Sequence, residues 1–292
     1  MTQAGAAAPE GLLSIDKPGG ITSHDAIDRI RRALGTRKVG HAGTLDPMAT
    51  GLLLVGVGRA TRLLRFLSDL DKTYEGTAQL GVRTDTLDAD GDVTGTSDPS
   101  SVTPEAIRAA MADLEGESLQ RPPSYSAVKV GGRKLYEAAR SGEALEADAR
   151  PIRVRRLELL RLAGDVAEFR VTCSTGTYVR VLLADVGERL GCGAHLVRLR
   201  RTAIGPFEVA DARPPDDPGA PLPVERAVAH LPRLDLEHEE AVAASHGRVL
   251  APLGIGGPYG VFGDGSLIGV YEDGAGMSKP LVILAAGDRE RR

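Results

Sequence analysis

One aspartate stands out for its surroundings. Asp46 sits in GTRKVGHAGTLDPMATG (residues 35–51), a segment with no usable helical or strand period that runs into the apolar stretch LLLVGV at 52–57. Aperiodic loops between regular elements are where sites are built. A loop carboxylate can serve as a nucleophile or as a general base, and in both roles it works ionised. By itself, an Asp before Pro reads as a helix cap or turn residue. Metal chemistry has little support, because the six histidines show no HxxxH or Cys/His spacing. Cys173 and Cys192, the two cysteines, are too far apart for a CxxC motif. Two other residues acquire interest from the elements that carry them. Tyr74 lies on the apolar side of an alternating stretch at 73–82, in phase with Gly76, Ala78, Leu80 and Val82. Arg180 falls in the first turn of a helix whose apolar stripe is Val179, Leu182, Leu183, Val186 and Leu190, and it lies off that stripe. Pattern alone makes the first a core tyrosine and the second an exposed helix arginine.

The elements that must position these residues follow from periodicity. GLLSID at 11–16 reads as a short buried strand stopped by Lys17, Pro18, Gly19 and Gly20. A helix follows, capped by Thr22 or Ser23, with Ala26, Ile27, Ile30, Ala33 and Leu34 at helical spacing and Gly35 as its left-handed stop. A second helix spans about 104–114 with Pro104 in its first turn, and strands near 152–160 and 166–173 lead into the helix of Arg180, which Gly191 ends. DARPPDDPGAPLP at 211–223 reads as a Pro-rich linker, and beyond it Asp264-Gly265 and Asp273-Gly274 are hairpin turn signals in a small β-rich module. The expected organisation is a disordered N-terminus at 1–10, a catalytic domain at 11–210, the linker, and a C-terminal domain at 224–292.

With 42% hydrophobic and 26% charged residues, the composition is that of a soluble globular protein, and no run approaches the ~18 apolar residues of a membrane helix. MTQAGAAAPE lacks the basic segment and apolar core of a signal peptide, so a reducing cytoplasm is expected. The net charge of −4 argues at first against a polyanionic partner. Basic residues nevertheless cluster at Arg29–Lys38, Arg59–Arg65, Arg150–Arg156 and Arg198–Arg201, whereas acids gather at Asp85, Asp88, Asp90 and Asp92 and at Asp235–Glu240. Each cluster alone reads as a solvated face; only their convergence would make a nucleic-acid groove.

GHAGTLDP, followed by GLLLVGVGRATR, resembles the catalytic motif of the TruB family of tRNA pseudouridine-55 synthases. DKPGGITSHD at 16–25, KTYEGTAQLGVRTDTLDADGD at 72–92, RPPSYSAVKVGGRKLYEAAR at 121–140 and CSTGTYVRVLLADVGERLGCGAHLVRLRRT at 173–202 are similar to further blocks of that family, in the same order. The resemblance implies an α+β pseudouridine synthase fold, a mixed central sheet flanked by helices, with a small C-terminal PUA-like RNA-binding domain. It implies an isomerase that flips a uridine out of the TΨC loop, breaks the bond from ribose C1′ to N1, and rejoins the base through C5. By the same resemblance Asp46, Tyr74 and Arg180 are catalytic: Asp46 attacks C1′ or takes a proton from C2′, Arg180 keeps it ionised, and Tyr74 stacks on the uracil with its hydroxyl near C5. His41 and Tyr178 are implied substrate contacts, Leu199 an apolar wall, and Lys17 either a phosphate contact or a solvated turn residue. Such walls offset the few kcal/mol that base flipping costs. Segment 121–150 is implied to be a mobile insertion closing over the T-loop.

No redox step is involved, so no cofactor or metal is implied. The implied partner is the T-arm of tRNA, bound by a monomer without a guide RNA or obligate protein. Two rivals from other classes are a non-catalytic tRNA-binding or folding factor on the same scaffold, expected to lack Asp46, Tyr74 or Arg180, and a base-excising glycosidase, which would release free uracil.

Overall fold

LLLVGV is apolar without alternation because it is buried on both faces: Leu52, Leu53, Leu54, Val55 and Val57 are all fully enclosed within the strand Thr50–Val57. In the computed structural model, which describes residues 8–284 except 127, 142 and 144, this strand lies near one side of a mixed sheet. The sheet runs in the order Gly11–Lys17, Thr50–Val57, Ala194–Ile204, Lys72–Leu80, Val166–Cys173, Arg150–Ala163 and Gly116–Gln120, with Val39–Ala42 and Phe207–Glu208 attached to the second and third strands. Thr50–Val57 and Ala194–Ile204 pair in parallel, through Arg200 with Thr50 and Arg201 with Gly51, and the other neighbours are antiparallel. The architecture is the expected α+β class.

Local chemistry sets the helices. Ser23–Leu34 starts in a capping box between Thr22 and Asp25 and stops at Gly35, whose φ of 63° only glycine adopts cheaply. Thr103 caps Pro104–Ala112, and Val179–Arg189 buries Val179, Leu182, Leu183 and Val186 against the sheet strands that carry Tyr74 and Leu199. The alternation from Thr73 ends sooner than expected: the strand stops at Leu80, Gly81 turns the chain at φ 80°, and Val82 belongs to a separate two-stranded ribbon.

The C-terminal residues form a four-stranded sheet in the order Arg233–Leu236, Pro258–Gly263, Ser266–Gly274 and Met277–Ile283. Asp264-Gly265 makes the first hairpin turn, both residues at positive φ. The second turn falls at Ala275-Gly276, two residues beyond the expected Asp273-Gly274. Asp273 is occupied otherwise, its carboxylate accepting from the backbone N–H groups of Leu253 and Ile255 and from the Tyr259 hydroxyl.

The Pro-rich segment 211–223 is not a free tether. Leu222 and Leu12 exchange backbone hydrogen bonds at 2.8 and 2.9 Å, and Arg213 pairs with Ser14 and Asp16 on the same edge strand. The segment thereby covers a sheet edge that would otherwise be unpaired. One apolar cluster then runs from Leu12, Leu52 and Leu54 through Ala227 and Val228 to Phe262, Val270 and Val282, so the two sheets share core. Of the N-terminal stretch 1–10, residues 1–7 lie outside the described residues, and Glu10 is held by the Arg59 guanidinium at 2.6 to 3.0 Å.

The parallel pairing beside the site depends on a missing side chain. Gly51 sits at φ 103°, and a Cβ there would lie 2.3 Å from the Arg201 carbonyl oxygen. Gly51→Ala therefore forces the paired strands apart and strains the backbone, and we expect a loss of about 2 kcal/mol or more in denaturant titration. A change below about 0.5 kcal/mol would contradict the close approach.

Candidate active site

The turn bearing Asp46 is fixed from below. Ser23 Oγ and Leu45 exchange hydrogen bonds, the Ser23 hydroxyl donating to Leu45 O and accepting from Leu45 N at 2.9 Å. Pro47 O accepts from Gly20 N at 2.9 Å and from Lys17 Nζ at 3.3 Å. Leu45 is buried and Ala49 N closes the turn onto Asp46 O, which leaves the Asp46 side chain 46% exposed and facing a cleft. The cleft encloses about 460 Å³ and is lined by Asp46, Tyr74, Tyr178, Arg180 and Leu199. That volume suits a single nucleotide-sized ligand.

Arg180 departs from its reading as an exposed helix residue: its side chain is only 6% exposed. Its guanidinium bridges two carboxylates, with Nη2 at 3.3 Å from Asp46 Oδ2 and Nη1 at 3.0 Å from Asp88 Oδ2, and it donates to Tyr125 O at 2.8 Å. Among the described residues Arg180 Nε and Ser126 Oγ are buried without a hydrogen-bond partner. Ser126 also lines the cleft.

Asp88 is the residue sequence reasoning missed most plainly. It stood among four acids in a polar run, which reads as solvated surface. The structure turns it inward, to 7% exposure, by fastening its loop. Thr84 Oγ1 donates to Asp88 O, Thr86 Oγ1 and Asp90 N donate to Asp88 Oδ1, and Leu196 N donates to Leu87 O. The available signal was the threonines at 84 and 86, which can bond locally to an aspartate backbone or side chain. Gln120 was missed as well; its amide holds Tyr178 through both backbone groups, accepting from Tyr178 N at 2.7 Å and donating to Tyr178 O at 3.2 Å.

Charge in the cleft is not arranged as simple pairing would have it. Burial raises the Asp46 carboxyl above its ordinary range; Arg180 opposes that shift, and the Asp88 charge adds to it. Arg180 thus moderates a desolvated carboxylate rather than holding it unusually acidic, because burial outweighs its attraction. Tyr74, buried on the facing strand, has its hydroxyl pKa raised by desolvation, with Arg201 pulling the other way.

Two expected contacts are placed elsewhere. Lys17 has no exposed surface, and its ammonium donates to the carbonyls of Pro18, Ile21 and Pro47, so neither phosphate contact nor turn solvation describes it. It braces the Asp46 turn instead. His41, half-buried on Val39–Ala42 opposite Val55, is outside the cleft lining, with Nδ1 buried and unpartnered among the described residues. Burial and then Arg201 hold its imidazole below the usual histidine pKa.

Comparison with known proteins joins this geometry to a family. Residues 31–179 match the TruB family pseudouridylate synthase N-terminal domain. Residues 180–214 match the tRNA pseudouridylate synthase B C-terminal domain, and residues 231–285 the C-terminal domain of tRNA pseudouridine synthase II. A protein named tRNA pseudouridine synthase B from Mycobacterium sp. (strain KMS) is 47% identical over 96% of this chain and 98% of its own length. One of the same name from Aromatoleum aromaticum is 48% identical over 94% and 93%. Among solved structures, an H/ACA RNP bound to a substrate RNA containing 2′-deoxyuridine superposes with a TM-score of 0.71 at 25% identity, over 95% of this chain and 86% of the other. An archaeal box H/ACA sRNP complex gives 0.69 at 29%, over 91% and 79%. Five sequence blocks in order, a carboxylate on a braced turn facing a buried arginine and tyrosine, and near full-length identity approaching one half converge on one conclusion: the chain belongs to the TruB family of pseudouridylate synthases.

Proposed function

We propose that this protein is a tRNA pseudouridine synthase that isomerises uridine 55 of the TΨC loop, with Asp46 as the group that acts on the ribose. The observation that carries the reading is the Asp46 carboxylate, presented to a nucleotide-sized cleft 3.3 Å from a buried arginine. The relatives named tRNA pseudouridine synthase B support tRNA as substrate. In this reading the target uridine leaves its stack and enters the cleft, its base against Tyr74 and Leu199 and its sugar over Asp46. Asp46 either attacks C1′ or removes a proton from C2′; the freed base turns, and C5 joins C1′. Tyr74 then lies where the C5 proton must leave. Isomerisation consumes no electrons, so the reaction implies no cofactor.

Residues 224–292 serve, in this reading, as a PUA-like domain gripping the stem, and its described part, through Leu284, shares a core with the catalytic sheet. The hairpin Lys129–Val130/Arg133–Lys134 and the helix Leu135–Arg140, next to Tyr125 and Ser126, supply the insertion over the T-loop. We place the protein in the cytoplasm, acting as a monomer without guide RNA. No helix among the described residues is long and apolar enough to cross a membrane.

The test is incubation with unmodified tRNA and positional mapping of pseudouridine. Conversion confined to uridine 55 is expected; tRNA that binds but stays unmodified would favour the folding-factor reading, and released uracil the glycosidase. The same assay carries a pH prediction. Because Asp46 acts ionised and its pKa is raised, single-turnover rate should climb with pH through a limb lying above the ordinary carboxylate range, near pKa ~4. A limb at or below that range would contradict the desolvated carboxylate.

A further inference from the structure

Under the Gly43–Pro47 turn two cations are buried with no carboxylate at ion-pair distance among the described residues, Asp69 and Asp71 acting on Lys72 only from farther off. Lys72 is 5% exposed and Arg201 1%. Their hydrogen bonds go to carbonyl oxygens: Lys72 Nζ donates to Ser68 O, and Arg201 donates through Nε to Leu52 O at 2.7 Å and through Nη2 to Gly43 O at 3.1 Å. Among the described residues neither forms an ion pair with a carboxylate. The two point to one place. An atom at the missing Cβ of Gly43 would lie 3.7 Å from Arg201 Nη1 and 3.9 Å from Lys72 Cε. Both residues line the cleft that holds Asp46 and Tyr74, and the Arg201 guanidinium carbon is 6.0 Å from the Tyr74 ring centroid.

Buried charge is normally paired, because leaving it alone in a low dielectric is costly. Burial, followed by the neighbouring Arg201, pulls the Lys72 ammonium down to about 8 against the weaker opposing charges of Asp69 and Asp71. Positive charge fixed in a cleft wall without an acid of its own is suited to negative charge that appears only during reaction.

Resting on the activity proposed above, we infer that Lys72, backed by Arg201, stabilises the departing uracil as an anion. The bond accounting requires such an anion. Whether Asp46 adds to C1′ or takes a proton from C2′, the C1′–N1 bond breaks with its electron pair going to the base, which spreads the charge over N1, O2 and O4. When C5 later bonds to C1′, the pair in the Asp46–C1′ bond, or the proton held by Asp46 in the glycal route, returns to its origin. C5 loses a proton, N1 gains one, and the charge on the base is gone. Lys72 therefore faces more negative charge in the cleavage transition state than in bound substrate, which is the condition for raising rate rather than affinity.

A leaving-group test separates this role from a structural one. Full-length wild type, Lys72→Met and Lys72→Gln are each given tRNA carrying uridine or 5-fluorouridine at position 55, and formation of the C-linked nucleoside is followed in single turnover. The 5-fluoro product has no C5 proton to lose, so it is scored as the C-linked nucleoside that has taken up water across C6–N1. Fluorine makes the base a better leaving group that needs less help. With uridine the variants should be slower by about 10²-fold, whereas with 5-fluorouridine the deficit should shrink to about tenfold or less, and Kd for tRNA should stay within about threefold. Lys72→Gln keeps a donor for Ser68 O and carries the test if Lys72→Met does not fold. Equal deficits on both substrates would overturn the inference. A weakened Kd with an unchanged rate would overturn it in favour of a backbone phosphate contact. Wild type that forms no C-linked nucleoside from either tRNA sinks the assigned activity instead.

Discussion

Asp46→Asn is expected to abolish pseudouridine formation, lowering the single-turnover rate by about 10⁴-fold or more while leaving tRNA affinity within about threefold. The substitution is nearly isosteric and leaves the turn intact, because the turn is held by Ser23 with Leu45, by Gly20 and Lys17 on Pro47 O, and by the Asp46 backbone rather than its carboxylate. Only the charge and the basicity go. An amide neither attacks C1′ usefully nor accepts a proton from C2′, so both routes close together. Stability should change little: the variant loses the contact with Arg180, yet it also loses a desolvated charge and its repulsion with Asp88. Equilibrium unfolding and tRNA binding beside the rate assay separate these effects. A variant that retains more than a few per cent of wild-type rate would remove Asp46 from the chemistry, whatever its position.

Much of the scaffold was legible because its signals are local. The cap at Thr22, one of the two candidates the sequence offers, the Gly35 stop and the apolar run at 52–57 each fix an element from a few neighbouring residues. The alternation that placed Tyr74 on an apolar face works because a strand has period two. Long-range arrangements were not legible. Nothing in DARPPDDPGAPLP announces that it pairs along Gly11–Lys17, since the hydrogen bonds are made by backbone atoms common to every residue. Arg180 and Asp88 were misread for a related reason: a charged residue looks solvated until its partner is known, and these two lie 92 positions apart. Lys17 and Lys72 pose the same difficulty more sharply, because their partners are carbonyls, which leave no trace in composition. The family resemblance identified Asp46, Tyr74 and Arg180; only the geometry exposed the buried acid behind the arginine and the buried cations beneath the turn.

That buried acid sets the second large effect. Asp88→Asn should destabilise the protein by roughly 3 kcal/mol or more, slow catalysis by about 10²-fold, and shift the acid limb of the rate profile to lower pH. The stability loss arises because Asp88 and Arg180 are 7% and 6% exposed, so removing one charge strands the other with only the half-exposed Asp46. The exposed pair of Glu75 with Arg170 is the internal control: both side chains are at least 40% exposed, and Glu75→Gln should cost no more than about 1 kcal/mol. The rate loss follows from aim. Arg180 reaches Asp46 through Nη2 because Nη1 is fixed on Asp88 at 3.0 Å, and an asparagine there holds it less firmly. The pH shift has an independent sign. The Asp88 charge contributes to raising the Asp46 carboxyl, so neutralising it lets Asp46 ionise at lower pH, and the limb moves down even as the plateau falls. A merely structural residue would lower the plateau without moving the limb. Urea titration of Asp88→Asn beside Glu75→Gln, with rate profiles for both, decides the matter. A limb that stays in place, or a stability loss no larger than that of the surface control, would mean that Asp88 packs against the site without setting its charge.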